Sequence, residues 1–290
     1  MSSQNQIEPE AYNSAIRELT HLNLRLRHLD KAKDEFISIA SHELRNPMAI
    51  IKGTLSMILA GDDGEITKDV REDLTDLMVV VERQIRLVNE LLDISRIEAG
   101  VIFFNLLPEI DAVNVAQLLA DSLNTVARQN NVKVTVQIKE DLPKVQGDQD
   151  KISQVLINLV SNALKFTNSG VIDISFSQKD NFVVTSVTDS GSGMPEETQE
   201  QLFKKFTKPG DPTVGTMSTG SGLGLYICKK FIEHLGGELW LEKSALGKGS
   251  TFSFSLPISG SEEAKKVEED VTALQTLKAV HFKTKEGKNR

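Results

Sequence analysis

At 290 residues the chain is long enough for one large core or two modest ones, and two domains is the starting expectation. Its 39% hydrophobic and 26% charged residues are those of a globular protein, and a formal net charge of −8 argues against general nucleic-acid binding, which needs a cationic surface to displace counterions from phosphates. One cysteine, Cys228, excludes an internal disulfide, no apolar run approaches the length of a membrane span, and the opening MSSQNQIEPE has no charged-then-apolar leader, so a cytoplasmic protein is expected.

The helical signal begins at Tyr12. Tyr12, Ala15, Leu19, Leu22, Leu26, Leu29, Lys33 and Phe36 alternate at spacings of three and four. That narrow stripe predicts a two-stranded coiled coil, with Lys33 as a polar break in its seam. The helix runs on through Phe36-Ile37-Ser38-Ile39-Ala40 toward Leu59 and meets the turn cluster Gly61-Asp62-Asp63-Gly64. A second long helix follows, with Val70, Leu74, Leu77, Val81, Ile85, Val88 and Leu92 on one face, and ends near Gly100. Each helix has an apolar face too wide for a single hairpin to cover. Pairing of two hairpins into a four-helix bundle, a homodimer, is therefore expected.

Beyond Gly100 the pattern changes. A helix is predicted near Val113–Arg128, an alternating strand from Val132 to Ile138, and a helix from Asp148 to Phe166. Strands follow at Ile172–Phe176 and Phe182–Thr188, then a helix near Leu223–Leu235, then strands at Glu238–Glu242 and Thr251–Leu256. These elements mix without a regular βαβ repeat, which predicts an α/β sandwich with helices on one face of a mixed sheet. Residues 259–290 are polar and charged without a sustained pattern and are expected to form a mobile or weakly helical tail.

The first segment with chemistry is Ser41-His42-Glu43-Leu44-Arg45-Asn46-Pro47. Pro47 lacks a backbone N–H and crowds the carbonyl of Glu43, so a kink is predicted there. A neutral imidazole at His42 has one nitrogen free to attack phosphorus, while the adjacent Glu43 carboxylate can hold the other N–H. Asn46 lies one turn on, on the same helix face. The segment resembles the phosphoacceptor box of the two-component sensor histidine kinases, S-H-E-L-R-[TN]-P-L, and departs from it only at Met48. The resemblance continues, in the family's order, from about residue 30 to about residue 258.

In the second segment Asn158, Asn162 and Lys165 are spaced four and three, so they share one side of a helix while Leu156, Leu159, Val160 and Ala163 pack the other. Two carboxamides suit a hard cation and an ammonium suits a polyphosphate. The family's asparagine box implies that Asn162 ligates Mg²⁺, Asn158 assists, and Lys165 contacts phosphate. The third segment, Asp189-Ser190-Gly191-Ser192-Gly193-Met194, places an acceptor at a strand end beside glycines that let a flat ligand approach the backbone. Alone it is a common turn. The resemblance implies that Asp189 reads the adenine amino group, with Gly191 and Gly193 in the nucleotide loop.

Leu202-Phe203-Lys204-Lys205-Phe206 resembles the family's phenylalanine box, and two core aromatics at helical spacing is the plainer reading of the same residues. Thr207–Thr219, rich in Gly, Pro, Ser and Thr, is expected to be a mobile ATP lid. Gly220-Ser221-Gly222-Leu223-Gly224-Leu225 opens the next helix, where exposed backbone N–H groups cradle phosphate. It is no P-loop, because no lysine and hydroxyl follow at the Walker spacing, and no dinucleotide fingerprint, because a lid rather than a strand precedes it. Gly247-Lys248-Gly249-Ser250 resembles the family's closing element, with Ser250 near adenine. His21, His28, His234 and His281 form no metal-ligand cluster in the sequence, and zinc is not indicated.

The fold expected is α plus α/β: an N-terminal coiled-coil helix (1–29), a dimerisation and histidine phosphotransfer bundle (30–102), an ATP-binding α/β sandwich (108–258) and the tail (259–290). What the resemblance implies is ATP- and Mg²⁺-dependent phosphorylation of His42, then transfer to an aspartate of a response-regulator receiver domain. Asn46 would position water for dephosphorylation of the regulator. About thirty residues precede the His helix, too few for a sensory domain, so input would come from a sensory partner on the coiled coil or from a longer protein. Two rivals stand beside this: a chaperone or mismatch-repair type of the same ATPase superfamily, and a scaffold that binds ATP without transfer.

Overall fold

The computed structural model describes residues 9–62, 64–98, 102, 104–129, 131–138, 141–207 and 221–273. They fall into two compact units that divide after Ile102. The first is a helical hairpin of α1 (Pro9–Ala60) and α2 (Lys68–Glu98). Gly61 and Gly64 turn the chain at φ of 89° and 111°, values that glycine adopts without a Cβ clash. Cross-links set an antiparallel register. The Arg45 guanidinium donates through Nε and Nη2 to Asn89 Oδ1 at 3.1 and 2.7 Å, Lys52 Nζ lies 2.7 Å from Glu82 Oε1, and Arg71 Nη1 donates to the Leu59 carbonyl at 2.8 Å. α1 is assigned as helix on both sides of Pro47.

Leu55, Val81, Val88 and Leu92 are buried. A second apolar set stays exposed: Leu19, Leu22, Leu26 and Leu29 along the predicted seam, and Ile50, Met57, Leu77 and Val80 lower in the hairpin. The remaining seam side chains, Tyr12, Ala15, Lys33 and Phe36, lie outside the described residues. An uncovered apolar surface of this length is what a second hairpin would bury.

The second unit is an α/β sandwich. Its five-stranded sheet runs β2-β4-β5-β7-β6, with β2 (Val132–Gln137), β4 (Gly170–Lys179), β5 (Phe182–Asp189), β6 (Leu239–Ser244) and β7 (Ser250–Pro257). The β2–β4 pair is parallel and the other three are antiparallel, which makes the sheet mixed as expected. Ile172, Ile174 and Phe176 bury one face against α4 (Gln149–Phe166), whose Ile152, Val155, Leu156, Leu159, Val160 and Ala163 are all buried. α3 (Ala112–Gln129) and α6 (Gly224–His234) contribute Ala116, Ala120, Ile227 and Phe231 to this core. The other face carries hydroxyls paired across strands, Ser186 to Ser253 at 2.8 Å and Thr188 to Thr251 at 3.0 Å.

Three features depart from the sequence reading. A second sheet pairs β1 (Leu107–Ile110) with β3 (Val145–Gly147), strands too short for period two to register. Residues 262–273, expected as the start of a mobile or weakly helical tail, form a helix, α7, that is packed, with Ala264, Val267 and Val271 buried. Gln146 Nε2 donates to the Ala264 carbonyl at 2.9 Å, and Val267 packs against Gly236. Residues 274–290 of the expected tail lie outside the described residues. Finally, the phenylalanine box is a run of turns rather than helix, so its aromatics do not share a core: Phe203 forms a T-shaped pair with Phe252, while Phe206 is 66% exposed at φ 61°.

Candidate active site

The nucleotide-side residues converge at one end of the sandwich. α4 starts where the Asp148 side chain caps it, with Oδ1 accepting from the N–H groups of Asp150 and Lys151 and Oδ2 from that of Asn105. The helix so placed carries Asn158 and Asn162 half-buried on one side, with Asn162 Nδ2 donating to Asn158 Oδ1 at 3.0 Å. Lys165 is exposed in the last turn, its Nζ 5.0 Å from the Phe166 ring centre. α6 begins directly against Asn158. A Cβ on Gly224 would come within 2.2 Å of Asn158 Nδ2, so any larger residue would have to displace the Asn158 carboxamide. The asparagine side of α4 and the glycine opening of α6 are thus one surface.

Asp189 ends β5 and is 8% exposed. Gly191 N–H donates to its Oδ1 at 2.8 Å and the Ser250 N–H also reaches the carboxylate. Burial nevertheless holds the carboxyl above its ordinary value, outweighing both donors. The loop after it is stitched on two sides. Ser192 N–H donates to the Phe166 carbonyl at 3.1 Å, tying the loop to the end of α4. Gly247 N–H donates to the Ser192 carbonyl at 2.7 Å and Met194 N–H to Ser244 Oγ at 3.1 Å, tying it to the β6–β7 turn. Ser250 is buried, its Oγ 2.9 Å from Ser244 Oγ.

These residues fit an adenine nucleotide. A buried carboxylate at a strand end can accept from an amino group, and the backbone around it comes so close that a Cβ at Gly191 or Gly249 would lie 2.3 or 1.9 Å from a carbonyl oxygen. Leu223 is buried and anchors the start of α6 rather than offering its side chain to phosphate. Gly222, at φ 74°, packs on Thr207, which brings together the two described ends of the expected lid. Gly220 and the lid from residue 208 to 219 lie outside the described residues. Ser244, which organises both the Asp189 loop and Ser250, was missed in the sequence: a serine at a strand end carries no signal of its own.

On the first unit His42 falls within α1, its side chain outside the described set; Glu43 and Asn46 are exposed, and Arg45 is half-buried against Asn89. A phosphoacceptor-type helical hairpin and a nucleotide-binding sandwich in one chain define a two-domain kinase core.

Comparison with known proteins agrees. Residues 32–100 match the His Kinase A (phospho-acceptor) domain, and residues 147–260 match the histidine kinase-, DNA gyrase B- and HSP90-like ATPase family. The chain is 35% identical over 247 residues to sensor protein EvgS of Escherichia coli K12, covering 82% of this chain and 20% of that protein. It is 33% identical over 245 residues to sensor histidine kinase WalK of Bacillus subtilis, covering 81% and 38%. Among solved structures, full-length ShkA in complex with AMPPNP superposes with a TM-score of 0.64 at 26% identity, covering 78% of this chain and 46% of that one. The chain belongs to the sensor histidine kinase family, and its second unit is the family's ATP-binding domain. It spans 20% to 38% of the length of these two curated relatives. Among the described residues no helix is long and apolar enough to cross a membrane.

Proposed function

We propose that this chain is an autophosphorylating protein-histidine kinase that takes the γ-phosphoryl group of ATP onto His42 and passes it to an aspartate of a separate receiver domain. One observation carries the reading: the buried Asp189 carboxylate, whose glycine loop is bonded to the end of the helix that bears the Asn158–Asn162 pair, in a chain that also has Ser-His-Glu-Leu-Arg-Asn-Pro on a helical hairpin.

Asp189 accepts from the adenine amino group, with Ser250 beside it and Gly191 and Gly193 letting the nucleotide loop pack closely on the backbone around it. Lys165 and the backbone N–H groups of Gly220, Gly222, Leu223 and Gly224 hold the phosphates. Asn162, assisted by Asn158, is the ligand for Mg²⁺, which neutralises phosphate charge when bound. The bond from Asn162 Nδ2 to Asn158 supports this, because it commits the nitrogen and leaves Asn162 Oδ1 for a cation. Thr207–Thr219 closes over the nucleotide as a lid. A nitrogen of His42 then forms its bond to the γ-phosphorus as the bond to the bridging oxygen breaks and the electron pair leaves with ADP. Glu43 orients the imidazole and takes or shares its proton. Positioning and charge neutralisation do most of the catalysis, so few residues need covalent roles.

The exposed apolar stripe of both helices supports a homodimer, and the seam from Leu19 to Leu29 a coiled coil through which a sensory partner acts. Use of ATP as the phosphoryl donor supports a cytoplasmic location. Measuring ADP release beside acid-labile protein phosphate separates the rivals: equal early amounts support transfer, ADP alone indicates an ATPase, and neither indicates a scaffold. Asn46, exposed one turn after His42, would also position water for regulator dephosphorylation. Asn46→Ala is then expected to slow that hydrolysis about tenfold while sparing autophosphorylation. An unchanged rate removes the phosphatase role.

A further inference from the structure

We propose that Asn89 is a positioning residue for phosphoryl transfer: it holds the Arg45 guanidinium at the phosphoacceptor level of α1, where the unused N–H groups of the fork neutralise the transferring phosphoryl oxygens. The inference rests on the histidine-kinase reading above. Arg45 follows His42 by three residues, a neighbouring position on the same helix face. A guanidinium has five N–H donors in a rigid fork. Two of them, on Nε and Nη2, converge on the single Oδ1 of Asn89 at 3.1 and 2.7 Å, which fixes one edge of the fork from the opposite helix. Three donors remain, both on Nη1 and the second on Nη2.

The identity of the anchor matters as much as its place. Two helical turns further along α1, Lys52 is met from α2 by Glu82 at 2.7 Å, an ordinary pair in which the charges cancel. Arg45 is met instead by a neutral carboxamide. An acidic residue at position 89 would hold the arginine at least as firmly but would cancel its charge, whereas asparagine fixes the position and leaves the full charge for an incoming anion. Both side chains are half-buried, so that charge is less screened than on an exposed arginine. Arg45 gives up no proton; it serves the N–P bond formation at His42 through charge and hydrogen bonds alone.

The test is the maximal rate and ATP KM of autophosphorylation in the wild-type chain and in Asn89→Ala, Asn89→Asp, Arg45→Ala and the Asn89→Ala/Arg45→Ala double variant, with a melting temperature for each. Asn89→Ala is expected to lower the maximal rate about tenfold with ATP KM within about twofold, and the double variant to be no slower than Arg45→Ala alone. Asn89→Asp decides between roles, because it keeps the cross-link between α1 and α2. A purely structural role restores the wild-type rate in that variant, and a charge-positioning role leaves it slow although the protein melts normally. Wild-type rates in Asn89→Ala or Asn89→Asp, or further slowing of Arg45→Ala by the second change, overturn the proposal. An unlabelled wild type would instead remove the kinase reading beneath it.

Discussion

Replacing Asp189 by asparagine is expected to weaken ATP binding about 100-fold while leaving the nucleotide-free domain as stable as the wild type or slightly more so. A hydrogen bond to a charged group contributes about 1.5–3 kcal/mol, which corresponds to roughly a ten- to 150-fold change in affinity. The stability half of the expectation comes from the fold. Burial holds the Asp189 carboxyl above 3.8, and the N–H groups of Gly191 and Ser250 recover only part of that shift. A raised pKa in the folded state means that the folded chain binds this proton more tightly than the unfolded chain. Its contribution to stability is then fully present below 3.8 and is lost as pH rises through the raised value. At neutral pH the ionised group burdens the empty fold, and a neutral carboxamide relieves it. ATP affinity moves the other way, falling as pH drops toward the raised value and the acceptor loses its charge. Calorimetric titration with ATP at several pH values, with thermal melting of both proteins, checks each half; a large loss of apo stability in Asp189→Asn would show the carboxylate to be a structural anchor.

Gly193→Ala should have a large effect on stability. Gly193 sits at φ 61°, and its Cβ would lie 1.9 Å from the Ala245 carbonyl oxygen and 3.0 Å from that of Gly249. Neither backbone can yield cheaply, because Gly247 N–H is bonded to Ser192 and Ser244 bridges to both Met194 and Ser250. A loss of about 3 kcal/mol is expected, or roughly 6–12 °C in melting temperature, together with loss of ATP binding as Gly191 is drawn off Asp189. Gly247 provides the control. Its φ of 72° is similar, but nothing lies within 4 Å of its Cβ, so Gly247→Ala should show only the conformational cost of about 1–2 kcal/mol. Equal melting shifts in the two variants would mean that the close approach at Gly193 is not rigid.

How much of this was legible in the sequence depended on whether the cause was local. α4 could be placed from Asp148 onward because its cap, its apolar stripe and its asparagine spacing all lie within one segment. The strands β4 and β5 declared themselves by alternation because one face is packed and the other carries hydroxyls. β1 and β3 did not, since strands of four and three residues hold no period and exist only through each other. α7 was hidden because its apolar stripe is Ala264, Val267 and Val271 among charged neighbours, weak alone and sufficient once Gly236 and Gln146 receive it. The site shows the same division. Asp189, Asn158 and Asn162 stood in recognisable segments, whereas the contributions of Ser244 and Asn89 arise from strands and helices brought together over long separations.

The most direct measurement is incubation of the full chain with γ-labelled ATP and Mg²⁺, beside His42→Gln and Asn162→Ala. The account predicts label on the wild type that survives base, is lost in acid, and is absent from both variants. Label that persists on His42→Gln, or wild-type protein that binds ATP and stays unlabelled, would contradict it.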